Sequence, residues 1–256
     1  RAPVTTPRGM VESIDVSVGR HHKTMVGLGL GLVVGAVSGA ALGYASGDDP
    51  AGFLSMTAGE KAAVAAVEAQ AGSSRIPILF CGPLLHRLGH AFIPDLGGCR
   101  IGDRPIDYHL EVLRQFGAVV EKQPHGIALT APQRLRGTKL DLPYPSVGTT
   151  EQVLLTAVRA EGVTELRNAA IEPEIMDLIA VLQKMGAIIS VDTDRVIRVE
   201  GVERLGGFTH RALPDRIEAS TFVIAAAITN GSVTSTNCTA AQLDALLTKG
   251  SEAGAA

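Results

Sequence analysis

Leu113-Arg114-Gln115-Phe116-Gly117-Ala118-Val119-Val120 and Leu182-Gln183-Lys184-Met185-Gly186-Ala187-Ile188-Ile189 carry one pattern twice, 69 residues apart. In both, an apolar-polar stretch runs into Gly-Ala and then a β-branched pair. Other landmarks keep the same offset: Gly137 and Gly206, Pro145 and Pro214, Gly162 and Gly231, Asn168 and Asn237. A 69-residue unit is too long for a solenoid repeat, but it suits a β-α-β-α-β-β module. From Pro105 to Phe116, apolar Ile106, Leu110, Leu113 and Phe116 fall at helical spacing, and Gly117 supplies the stop. Val119-Val120 and Ile127-Ala128-Leu129 read as a hairpin around Pro124-His125-Gly126. A helix is expected over 149–160, ending near Gly162, then a strand over 163–166. The second copy predicts a helix over 174–185, strands over 188–191 and 196–199, a helix over 219–229 and a strand over 232–236. Residues 75–95 read as the back half of an earlier copy. Residues 240–256 read as the opening helix of a later one.

The chain has 256 residues, enough for one large domain or two small ones. Hydrophobic residues make up 46%, aromatics only 4%, and there is no Trp, so the core should be aliphatic. A net charge of −3 gives no footprint for nucleic acid. Cys81, Cys99 and Cys238 are odd in number and never closely paired, which reads as reduced thiols. Cys81 lies in an apolar run and is expected in the core; Cys238 fits either core or surface. His86 and His90 stand four apart with no third ligand in view, so no metal site is expected.

Residues 25–47 are different in kind. They carry no charge and are long enough to cross a bilayer. Gly27, Gly31, Gly35, Gly39, Gly43 and Gly47 form one stripe on a helix, as in small-xxx-small packing. The stretch resembles glycine-zipper segments of bacterial membrane proteins, which implies membrane contact; the alternative is a buried or flexible Gly/Ala tract. It starts too late for a signal peptide and lacks a cleavage site. Composition switches near Ala71-Gly72-Ser73. Residues 1–73 are therefore expected to be foreign to the rest of the chain, joined to it by an assembly or gene-calling fault.

Gly97-Gly98-Cys99-Arg100-Ile101-Gly102-Asp103-Arg104-Pro105 reads as a presented thiol. Glycines free the backbone for an exposed turn. Arg104 brings a cationic fork suited to phosphate or carboxylate, and a nearby cation favours the thiolate of Cys99. Pro105 suits the first turn of a helix. Tyr144-Pro145-Ser146-Val147-Gly148 also precedes a helix. Its backbone N–H groups and the Ser146 hydroxyl suit a diphosphate, or only an ordinary N-cap.

Seven strings in order resemble the enolpyruvyl transferase family, within it the UDP-N-acetylglucosamine 1-carboxyvinyltransferases. They are Arg75-Ile76-Pro77, Gly82-Pro83-Leu84, the Cys99 loop, Pro145 to Thr150, Asn168 to Glu174, Gly201 to Gly207, and Leu213 to Glu218. The resemblance runs from about Ser74 to the C-terminus. It implies an α/β fold, an inside-out α/β barrel of β-α-β-α-β-β units, six per protein and three per domain. The implied division is a foreign segment 1–73, a partial domain 74–216 and the start of a second domain at 217–256.

The resemblance also implies a cytoplasmic enzyme without cofactor. It would transfer the enolpyruvyl group of phosphoenolpyruvate to the 3-hydroxyl of UDP-N-acetylglucosamine and release phosphate, the first committed step of peptidoglycan precursor synthesis. Cys99 falls at the family's proton donor, which adds covalently to phosphoenolpyruvate and is alkylated by fosfomycin. Arg75, Arg104, Pro105, Ile106, Asp107, Tyr108, Tyr144, Pro145, Ser146, Val147 and Gly148 fall at substrate contacts. Tyr144 replaces a lysine found in some members, which puts a direct charge contact there in doubt. His109, after Tyr108, is expected near the nucleotide. The family's N-terminal Lys-Asn pair has no counterpart in residues 1–73, and its sugar-deprotonating aspartate would lie beyond residue 256. The chain alone is therefore expected to be nearly inactive, since catalytic groups fail non-additively. Competing expectations are the shikimate-pathway transferase and a non-catalytic membrane-associating chimera.

Overall fold

A computed structural model describes residues 74–97, 105–236 and 238–252. They fall into two compact units, divided between Arg211 and Ala212. The apolar segment 25–47, the Cys99 turn and Arg104 lie outside the described residues. Among those described, no helix is long and apolar enough to cross a membrane.

Among the described residues, the first unit begins with a short 3-10 helix, Ile76–Phe80, running into α1 (Cys81–Leu88) and strand β1 (His90–Pro94). Then come α2 (Asp107–Gln115), the hairpin β2 (Val119–Gln123) and β3 (Gly126–Thr130), and β4 (Lys139–Asp141). Helix α3 (Val147–Ala157), β5 (Val163–Arg167), α4 (Pro173–Lys184), β6 (Ile188–Asp192) and β7 (Val196–Glu200) complete it. The helices and hairpins fall where periodicity put them, with ends moved by one to three residues. Such ends fray and are set by local capping.

The repeat is physical. Gly117 and Gly186 both sit at positive φ, 101° and 99°. Behind them Ala118 N–H donates to Leu113 O at 3.0 Å, and Ala187 N–H to Leu182 O at 2.9 Å. This is one left-handed helix stop used twice, at a conformation glycine adopts without penalty. The sheets repeat as well. One is antiparallel in the order β1-β3-β2; the other runs β4-β5-β7-β6, with β4 and β5 parallel. In each, the strand that closes one copy (β1 or β5) pairs with the second hairpin strand of the next copy (β3 or β7). Val163 lies opposite Glu200, and Ile188 lies opposite Glu200 from the other side. Each sheet is thus shared between copies.

Helix α3 is the axis of this unit and touches α1, α2 and α4. Thr149, Thr150 and Gln152 to Ala157 are all buried, as expected of a helix packed on every side. Cys81 is fully buried, and burial pushes its thiol well above the ordinary range. His86 is mostly buried on α1. Its Nε2 donates to Thr156 O at 2.7 Å, and burial holds its pKa down at about 4. It ties α1 to α3 rather than facing solvent.

The second unit contains α5 (Arg216–Ile228), a 3-10 turn (Ala240–Leu243) and α6 (Asp244–Glu252). A capping box of Thr239 and Gln242 starts the 3-10 turn. Cys238 is buried there against Ala219 and Leu243. One expectation fails: Ser232–Thr236 is not a strand, and only Ser235 bridges. A closing strand takes its neighbour from the next copy's hairpin, and the described residues of this unit contain no such hairpin.

Candidate active site

Helix α3 begins at a turn that fixes its own hydrogen bonds. Ser146 is the N-cap, with extended backbone. Its Oγ accepts from Thr149 N–H at 3.3 Å and from Thr149 Oγ1 at 2.9 Å. Ser146 Oγ is thus held at the helix start by two contacts to Thr149. Thr150 Oγ1 donates to Ser146 O at 2.8 Å and accepts from Ala170 N–H at 3.0 Å, which anchors the turn to the loop before α4. The N–H groups of Val147 and Gly148 have no intrahelical acceptor. One hydroxyl and two amides thus converge at the positive end of a buried helix, a geometry that suits an anion.

The other expected residues gather around this turn. Arg75 Nη2 donates to Pro105 O at 3.2 Å, linking the first helical segment to the start of α2. Ile106 is the N-cap of α2 and Asp107 its first residue. Tyr108 meets Tyr144 edge-on, with ring centroids 5.6 Å apart and planes at 68°. Tyr144 remains half-exposed, so the pair makes an aromatic wall beside the Pro145–Gly148 turn. Arg75, Pro105 to Tyr108 and Tyr144 to Gly148 are therefore brought together. Cys99 and Arg104 lie outside the described residues.

His109, expected near the nucleotide, and Gln152, which sequence did not single out, also lie here. His109 packs its imidazole edge on Gly148: a Cβ added there would lie 3.2 Å from its Cε1 and Nε2. Gln152, one turn along α3, is fully buried. Burial holds the His109 pKa down at about 4, and the Arg75 charge adds to this; Gln152 and Asp107 act the other way. Glu151 shows the opposite shift, pushed up to about 7 by burial and then by the Glu174 charge. It is a neutral acid at mildly acid pH. The signal for His109 was in the repeat: its counterpart 69 residues on is Leu178, a buried core residue.

The profile of the EPSP synthase family, 3-phosphoshikimate 1-carboxyvinyltransferase, matches residues 55–256. The chain belongs to the EPSP synthase family. This family's match begins upstream of Ser74, where the motif resemblance starts. Among sequence relatives, the UDP-N-acetylglucosamine 1-carboxyvinyltransferase 1 of Symbiobacterium thermophilum is 49% identical over 180 residues, covering 70% of this chain and 41% of the relative. The UDP-N-acetylglucosamine 1-carboxyvinyltransferase of Protochlamydia amoebophila is 49% identical over 167 residues, covering 63% and 36%. The chain thus spans about two-fifths of the length of these EPSP synthase-family relatives. Of solved structures, the enolpyruvyl transferase NikO from Streptomyces tendae shares the fold at TM-score 0.56 and 20% identity, over 77% of this chain and 52% of that one.

Proposed function

We propose that this chain is part of an enolpyruvyl transferase acting on phosphoenolpyruvate and UDP-N-acetylglucosamine, releasing phosphate, in the cytoplasmic assembly of peptidoglycan precursors. The whole protein would be built as an inside-out α/β barrel of the shared-sheet copies described above. The observation that carries the reading is the Ser146–Gly148 turn. Its Ser146 hydroxyl and the Val147 and Gly148 amides, which have no intrahelical acceptor, suit the diphosphate of a nucleotide sugar, and the Tyr108–Tyr144 wall beside it suits the base. Relatives near 49% identity with this substrate in their names support the same choice.

In this reading Cys99 protonates the alkene carbon of phosphoenolpyruvate, the neighbouring carbon accepts the sugar oxygen, and elimination then expels phosphate. The donor must reach the alkene within hydrogen-bond distance. Arg75 and Arg104 hold anionic groups of the substrates, and Pro105 to Tyr108 line the uridine. The family profile also names 3-phosphoshikimate, which makes that acceptor the second reading.

Calorimetric titration of the purified chain separates the two. Saturable binding of UDP-N-acetylglucosamine, not displaced by 3-phosphoshikimate, is the expected result. Binding of 3-phosphoshikimate alone would replace the reading with the second one. Phosphate release from phosphoenolpyruvate with the nucleotide sugar is expected to be near zero for this chain alone. Release that vanishes in Cys99→Ser would mean the chain already holds the groups the chemistry needs.

A further inference from the structure

Within the repeat, Leu110 and Leu113 of α2 and its C-cap Phe116 correspond to Ile179 and Leu182 of α4 and its C-cap Met185, and all six are buried. His109 breaks this agreement, because its counterpart is the buried Leu178. An imidazole therefore occupies a core-facing position. His109 Nδ1 and Gln152 Oε1 are both buried and form no well-aligned hydrogen bond, though Gln152 lies near enough to act on the imidazole. A leucine there would leave no buried polar atom to satisfy. The edge of the imidazole fills the space that a side chain at Gly148 would need, at the start of α3.

We propose that His109 is a positioning residue for the phosphate-binding turn: its ring props the Gly148 backbone so that the Val147 and Gly148 N–H groups face a bound diphosphate. The inference rests on the nucleotide-sugar reading above. A flat ring edge against a residue without Cβ fixes the turn sterically, and it carries no charge to the ligand. The groups around the ring agree. Burial dominates its environment, Arg75 opposes a second positive charge, and Asp107 is exposed on the first turn of the same helix. Helix α3 presents Gln152, a neutral side chain.

The test is a double-mutant cycle read by titration with UDP-N-acetylglucosamine, on the full chain. His109→Ala and Gly148→Ala are each expected to weaken binding about tenfold. The double variant should lose clearly less than the product, because the space vacated at 109 accommodates the methyl at 148. His109→Leu, restoring the residue of the next copy, guards against a folding failure: it should melt like the wild type and still bind about tenfold more weakly. In the bound complex near neutral pH, nitrogen-15 spectra of the ring should report a neutral imidazole. Independent losses in the cycle, wild-type binding by His109→Leu, or a protonated ring in the complex would each overturn the prop. A wild-type chain that fails to bind the nucleotide sugar would instead bring down the reading beneath it.

Discussion

The chain starts two helices in the same way and equips them for different ends. Ser146 caps α3 and, 69 residues on, Asp215 caps α5. Their backbones are close to identical, φ −77° and ψ 121° against φ −74° and ψ 101°. Each side chain accepts from the same amide of the first turn: Thr149 N–H at 3.3 Å for Ser146, Glu218 N–H at 3.1 Å for Asp215. Asp215 Oδ1 also takes Ile217 N–H at 2.8 Å. A carboxylate is acceptor-only, so Asp215 places its own negative charge at the helix start and satisfies it from within. Ser146 leaves the helix start uncharged, with a hydroxyl in place of the carboxylate. At the next position but one, Gly148 leaves room for the edge of the His109 ring, whereas the second copy carries the Cβ of Ile217 there. The same repeat position carries a charged cap in one copy and an uncharged one in the other. The difference rests on one carboxylate and one Cβ.

Importing the second copy's cap into the first should have the largest effect. Ser146→Asp keeps an equally good N-cap, so the melting temperature should hardly move. Nucleotide-sugar affinity should fall by about 2–4 kcal/mol, the repulsion of two charges near 4 Å at a partly solvated site. Titration of the variant checks it; unchanged affinity would mean the diphosphate sits elsewhere.

A second difference lies one turn in, where Glu151 stands at the position of Ser220. The folded pKa of Glu151 is raised to about 7, so its contribution is full below the ordinary carboxylate value of 4.5 and lost as pH rises through 7. Glu151→Gln, neutral throughout, should match the wild type at pH 4.5 and exceed it at pH 8 by up to about 3 kcal/mol. Urea unfolding at both pH values checks this. His86 and His109 run the opposite way: their folded pKa values near 4 lie below the ordinary 6.5, so their contribution is lost as pH falls from 6.5 through 4. The comparison is therefore made between variant and wild type at each pH.

Removing either cap is a smaller change. Ser146→Ala and Asp215→Ala should each cost about 1 kcal/mol of stability, but only Ser146→Ala should also weaken nucleotide-sugar binding. Asp215→Ser should be the mildest, within a few tenths of a kcal/mol by denaturant unfolding.

The repeat, its helices and its hairpins were legible because they rest on local physics. Apolar spacing of 3.6 marked α2 and α4, and Gly117 and Gly186 stop them with the same positive φ. Leu140 between Lys139 and Asp141, a strand too short to signal itself, was missed. What depends on a neighbour was also missed. The segment 232–236 has strand composition, yet it finds no hairpin to join among the described residues. The sharing of each sheet by successive copies is a tertiary fact, as is the contact of His109 with Gly148. Of the site, Arg75, Pro105 to Tyr108 and Tyr144 to Gly148 were named from motif order and do converge. The burial that neutralises His109 and lifts the pKa of Glu151 arises only when α3 is enclosed on all sides.

The most direct measurement tracks backbone amide shifts while UDP-N-acetylglucosamine is added to the labelled chain. Val147 and Gly148 should move strongly, saturating with the ligand, while Arg216 and Ile217 stay still. Movement at Arg216 and Ile217, or none at Val147 and Gly148 while binding saturates, would contradict the assignment of the phosphate site to the Ser146 turn.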